Sequence, residues 1–155
     1  MVMGCDIHTF CERKTDTKYE YVSEIIPFDW RQYGMYAFLA GVRNYSAVPT
    51  IAEPRGLPLD ISCNVADMYK LHRSDSHTPS WLSITELLEW DYDAEVEDRR
   101  YTRQESPNRF NGATTCEPGQ GVKMTWREFL GDDFMDDLFD MERVGIDRVV
   151  FWFDS

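Results

Sequence analysis

The sequence predicts an α+β fold: a small antiparallel sheet, formed by an N-terminal hairpin and a C-terminal strand and covered by helices. Three observations predict it. Residues 4–12 alternate in character, and residues 18–26 follow after a short polar turn, which is the pattern of a β-hairpin. Residues 147–154 run Asp-Arg-Val-Val-Phe-Trp-Phe-Asp, a nearly continuous apolar stretch of strand length that suits burial on both faces. Between the termini, apolar residues recur at helical spacing in several short segments.

Taken in order, Pro27 ends the hairpin. Asp29 and Gln32 then form a capping box before Met35, Phe38, Leu39 and Val42, predicting a helix that stops near Arg43 and Asn44. Residues 45–63 carry Pro49, Pro54, Gly56 and Pro58 and predict an irregular connection. Val65, Met68, Tyr69 and His72 share one face of a short helix, and Arg73 to Trp81 reads as a loop. Ser83 and Glu86 make a capping box ahead of Leu87, Leu88 and Trp90. Residues 91–98 are acidic. Residues 99–123 show no period and hold Pro107, Gly112, Pro118, Gly119 and Gly121, which predicts a long functional or flexible loop. Thr125 and Glu128 open a helix through Phe129 and Leu130. A further helix restarts after Gly131, with Phe134, Met135, Leu138 and Phe139 facing inward. Its acids, Asp132, Asp133, Asp136, Asp137 and Asp140, are expected to form a solvated face. They do not match a calcium loop in spacing or glycine position. No repeat and no linker divides the chain, so residues 1–155 are expected to form a single globular domain.

The 155 residues suffice to bury a core without cross-links, and five Trp, eight Tyr and nine Phe make that core aromatic. Cys5, Cys11, Cys63 and Cys116 contain no C-x-x-C pair, and no apolar leader points to an oxidising compartment. Reduced, mostly packed thiols and a location in the cytosol (that of a host cell, on the resemblance given below) are the expectation. No run is apolar and long enough for a membrane span. A formal charge of −12 argues against bulk nucleic acid as a partner, because counterion release needs a basic surface. A small anion held by a few local arginines is compatible with it.

Three constellations can carry chemistry. Asp6 and His8 lie two apart on a strand, so both leave the same face, and Glu12 shares their parity. A carboxylate beside an imidazole suits a metal ion or an acid/base pair; the plainer reading is an edge carboxylate bonded to a structural histidine. Asp75 and His77 repeat the Asp-x-His pattern among hydroxyls, between Arg73 and Trp81, where the plainer reading is capping of the next helix with Trp81 as an anchor. His72 falls on the apolar face of its helix and reads as a core histidine. Arg43, Asn44, Tyr45 and Arg55 add positive charge and a ring, suited to a phosphate and a stacked base, against the alternative of surface ion pairs. No glycine loop for phosphates and no G-x-S-x-G is present, and Cys5 lacks an activating context, so NTPase and acyl-transfer chemistry fall away.

The segments Met3 to His8, Phe38 to Asn44, Pro54 to Pro58, Ser74 to Leu82 and Val149 to Asp154 together resemble a family of small uncharacterised proteins of bacteriophages and prophages. The resemblance covers most of the chain apart from 91–123, and it implies origin more than mechanism. Phage proteins with pockets of Arg, His and aromatic residues include those that cleave or sequester nucleotide immune signals, an analogy of context. The expectation is therefore capture of a phosphorylated, nucleotide-like small molecule, first as a metal-dependent phosphodiester hydrolase. Asp6, His8, Asp75 and His77 would hold a divalent metal of open identity or act as acid and base, with Arg43, Asn44, Tyr45, Arg55, Arg73 and Trp81 contacting the ligand. A non-catalytic sponge is the alternative, and an acidic protein-interaction factor the third. The aromatic content is compatible with a homodimer.

Overall fold

The computed structural model describes residues 4–72, 74–102, 114 and 116–155. In chain order the elements are β1 (Asp6–Lys14), β2 (Tyr19–Val22), α1 (Tyr33–Ala40), α2 (Cys63–His72), β3 (Ser76–Ser83), α3 (Ile84–Glu89), β4 (Glu95–Thr102), β5 (Gly121–Thr125), α4 (Trp126–Leu130), α5 (Asp132–Val144) and β6 (Arg148–Asp154). The fold is α+β, with the terminal strands in one antiparallel sheet as the sequence predicts. The described residues group into two compact units. One holds the chain up to Arg31, Pro54–Trp90 and Asp133–Ser155; the other holds Gln32–Glu53 and Asp91–Asp132.

The first unit is built on a four-stranded sheet in the order β2-β1-β6-β3. Strand β6 is central and buried from Arg148 to Phe153, which is why its sequence does not alternate. The fourth strand, β3, lies where a loop was expected from 73 to 81. Its hydroxyls and Pro79 look like loop residues, yet an edge strand tolerates a proline, and here Pro79 sits in a β-bulge. On one face, Val150 and Trp152 pack under Val65 of α2, with Phe10 stacked on Trp152 at 4.5 Å and Tyr69 edge-on at 5.0 Å. On α5, Phe134, Met135, Leu138 and Met141 are buried at helical spacing, and Phe134 stacks on Phe28 at 4.4 Å. Two expectations for this helix are corrected. Phe139 is half exposed rather than inward, since it falls off the buried stripe. Asp137 leaves the solvated face to accept the Phe28 N–H at 2.8 Å.

Glu12 and Arg148 are cross-strand partners sealed inside this unit. Arg148 Nε donates to Glu12 Oε1 at 2.6 Å, and Ser62 N donates to Glu12 Oε2 at 2.8 Å. The guanidinium also donates to the Asp60 carboxylate at 2.7 Å and lies 3.4 Å from the Tyr19 ring centroid. A buried charge pair is tolerable only when its remaining donors and acceptors are satisfied in this way.

In the second unit, α1 is buried from Gly34 to Ala40. The predicted box with Asp29 does not form: Gln32 caps no helix through its side chain, which donates instead to the Phe129 carbonyl at 3.0 Å. The helix ends at Gly41, short of Val42 and Arg43, because Gly41 takes the left-handed conformation, φ 71, and closes back on Ala37. The box of Thr125 and Glu128 opens α4 as predicted, as does that of Ser83 and Glu86 for α3 in the first unit. Strands β4 and β5 pair antiparallel and enter the stretch 99–123 from both ends; residues 103–113 and 115 of that stretch lie outside the described residues. Gly121 is required there, since a Cβ would stand 2.6 Å from the Asp98 carbonyl oxygen. Cys5, Cys11 and Cys116 are buried, Cys63 is exposed, and none of the four forms a disulfide. No helix among the described residues is long and apolar enough to cross a membrane.

Candidate functional site

The two Asp-x-His units lie at the same end of the first unit's sheet, on either side of β6. Asp6 of β1 and Ser76 of β3 are both register partners of Asp154, one from each side of β6. Strands two apart stand roughly 10 Å from each other, so residues 6–8 and 75–77 flank the same strand end. Their histidines nevertheless leave opposite faces. His8 pairs with Trp152 and shares its face, whereas His77 pairs with Phe153 and shares the other. Among the described residues no three His, Cys, Asp or Glu side chains gather to hold a metal ion.

His8 is the best-organised polar side chain at this end. Its Nε2 lies 2.5 Å from Asp154 Oδ2, and both side chains remain about one-third exposed, 35% and 34%. The ring stacks on His72 with centroids 5.8 Å apart and planes inclined by 7°. His72 is therefore exposed at the site and not a core histidine. It is the last residue of α2, and its carbonyl accepts from Ser76 Oγ at 2.6 Å and Asp75 N at 3.1 Å. Asp75 contributes that amide, and its side chain is exposed. Asp6 is paired with Arg31, at 3.0 Å from Nε and 2.9 Å from Nη2, with both side chains half exposed. Gly4 makes room for this guanidinium: a Cβ there would stand 2.5 Å from Arg31 Nη1.

On the other face, His77 Nδ1 lies 2.9 Å from Thr78 Oγ1 and Nε2 lies 2.8 Å from Ser155 Oγ. Its ring stacks over Phe153, centroids 6.1 Å apart. Arg55 stacks on Trp81 at 4.7 Å and forks onto Glu86 at 2.6 and 2.9 Å, so its geometry is that of an ion pair. The hydrogen bond to Glu86 raises the Arg55 pKa. Partial burial pushes Glu86 up, but Arg55 and the Ser83 N–H outweigh it and hold the carboxyl below its ordinary range. Arg73 lies outside the described residues. Arg43, Asn44 and Tyr45 belong to the second unit. There Arg43 lies over the Tyr33 ring at 5.4 Å, and Tyr45 meets the same ring at 6.1 Å. Asn44 staples a turn through both directions of its amide with Val48, at 2.8 and 3.0 Å.

Sequence reasoning missed Asp154 and His72. Asp154 ends an apolar strand and gains meaning only through its register with β1. What the fold and the site define is a class: an α+β unit whose sheet end presents a carboxylate-oriented imidazole with a second imidazole stacked on it. No family model matches the chain, and neither a curated protein nor a solved structure matches it.

Proposed function

We propose that the protein captures a small phosphorylated, nucleotide-like ligand at the histidine-bearing end of the first unit, and that His8 acts on it as a general acid/base in phosphodiester hydrolysis. The observation that supports this is the His8–Asp154 pair. A carboxylate on one ring nitrogen fixes the orientation of the imidazole and leaves the other nitrogen to carry a proton. Water would attack phosphorus while the ring nitrogen not held by Asp154 takes its proton, and the imidazolium would return that proton to the leaving oxygen as the P–O bond breaks. Partial exposure of both partners leaves the ring reachable. His72 and the Arg31–Asp6 pair supply further polar contacts for the ligand at that end. The ligand class draws its support from the resemblance to phage proteins and from the anti-defence context that it brings.

The donor set bears on the metal alternative. His8 and His77 face opposite ways, so acid/base chemistry by His8 requires less rearrangement than one ion shared by Asp6, His8, Asp75 and His77. A single experiment separates the readings: purified full chain incubated with cyclic and linear dinucleotides, with and without EDTA. Turnover that survives EDTA and falls at least about 100-fold in His8→Ala supports the proposal. Turnover abolished by EDTA moves the chemistry to a metal. Intact dinucleotide recovered after heat denaturation makes the protein a sponge, and neither binding nor turnover across the panel overturns the reading.

A further inference from the structure

The second Asp-x-His unit rests on an improbable backbone. His77 is opposite Phe153 and Ser80 is opposite Phe151, so Thr78 and Pro79 together face Trp152 alone. One form of such a bulge places its first residue in the left-handed region, and it uses glycine there. Thr78 occupies that region, φ 54. It is unsuited on two further counts: its branched Cβ is crowded at positive φ, and a residue before proline is driven toward extended conformations. Glycine would form the same bulge without strain. What glycine lacks is the hydroxyl, and that hydroxyl lies 2.9 Å from His77 Nδ1.

We infer that Thr78 is a positioning residue, whose strained bulge holds its hydroxyl against His77 Nδ1 and so fixes the ring's orientation and tautomer. The inference rests on the proposed use of this sheet end and adds His77 to it, as a contact from the second face. An imidazole has one donor and one acceptor nitrogen when neutral, and the partner on one nitrogen decides the role of the other. With the Thr78 hydroxyl donating to Nδ1, the proton sits on Nε2, which lies on the exposed side next to Ser155 Oγ at 2.8 Å. Nε2 is then a fixed donor for a phosphate oxygen. Strain kept at one residue while its neighbour carries the chemistry is a recurring arrangement at binding sites.

The test uses the ligand-free full chain, so its result is separate from that of the dinucleotide assay. Imidazole ¹⁵N NMR reads the His77 tautomer in the wild type, Thr78→Ser, Thr78→Val and Thr78→Gly, and thermal unfolding is measured on the same samples. The wild type and Thr78→Ser are expected to show one tautomer protonated on Nε2, with Thr78→Val and Thr78→Gly showing a mixture. Thr78→Gly, freed of strain, is expected to melt a few degrees higher than the wild type. An unchanged tautomer pattern in Thr78→Val or Thr78→Gly overturns the inference. So does a Thr78→Gly that melts lower, because the threonine backbone would then carry no strain that needs a reason.

Discussion

Strand β1 carries a carboxylate near each end on the same face, and the two ends are finished differently. Around Glu12 every partner is in place: Arg148 beside it, the Ser62 amide on its second oxygen, and neither side chain more than 4% exposed. Around Asp6 and His8 the partners are also charged or polar, yet His8 and Asp154 keep about one-third of their surface and Asp6 and Arg31 about half. Burial with full satisfaction makes a rigid internal staple. Pairing with access left open makes a place where an incoming ligand can exchange contacts. Carboxylates at the same parity are therefore sealed into the structure at one end and left accessible at the other.

The largest effect that tests this contrast is at the sealed end. Glu12→Ala leaves the Arg148 charge buried and is expected to cost about 3–5 kcal/mol in urea unfolding. The double substitution Glu12→Leu with Arg148→Met should recover much of that loss, because two apolar side chains avoid the desolvation cost. If Glu12→Ala unfolds within about 1 kcal/mol of the wild type, the sealed end is not sealed. Chemistry at Cys11, next along the strand, gives a second measure. Burial first, and then the Asp137 charge, push its thiol from 9.0 to about 12. Each unit lowers the thiolate fraction tenfold, so alkylation by iodoacetamide at pH 8 should be slowed on the order of a thousandfold relative to an ordinary thiol. Cys63, exposed beside Tyr19 and Tyr21, should label first. Mass spectrometry after partial labelling reads both. At the open end, His8→Ala is expected to change stability by less than about 1 kcal/mol while removing the proposed activity. A stability loss as large as that of Glu12→Ala would make the His8–Asp154 pair a staple like the other.

The parts of this arrangement that were legible in the sequence are those set by local rules. The hairpin, the buried C-terminal strand and the boxes at Ser83 and Thr125 follow from alternation and spacing, and all form. What escaped depends on register and on competition between partners. Asp154 becomes a partner of His8 only because β1 and β6 pair Asp6 with Asp154, and a slip of one residue would have turned it to the other face. The same register puts the two Asp-x-His units at one strand end and sends their histidines apart. Gln32 lost its predicted box because the Phe129 carbonyl offered a better use for its amide. Strand β3 was hidden by Thr78 and Pro79, which punctuate it without ending it. Arg55 shows the reverse case: the sequence left an ion pair open as the plainer reading, and Glu86 supplies it.

Asp137 gives the smallest effect, and it has a sign that can be worked out. Burial first raises its pKa, and the charges of Asp140, Asp133 and Asp136 add to the rise, while the Phe28 N–H opposes it without winning. A carboxyl raised in the folded state favours folding when protonated. Its contribution is full below the unfolded pKa and is lost as pH climbs through the raised folded value. Asp137→Asn keeps an oxygen to accept the Phe28 N–H and removes the charge. The variant should therefore be more stable than the wild type at pH 7, by less than about 1 kcal/mol, because the side chain is only half-buried and screened. That advantage should fade as pH falls through the carboxyl's elevated range and vanish once the wild-type group is protonated in both states. Urea unfolding of the two proteins at neutral pH and at successively lower pH reads the difference directly. A constant advantage across that range would mean that packing, rather than charge, separates them. A variant less stable at pH 7 would show that the Phe28 N–H needs the full carboxylate, placing Asp137 with Glu12 among the sealed groups of this unit.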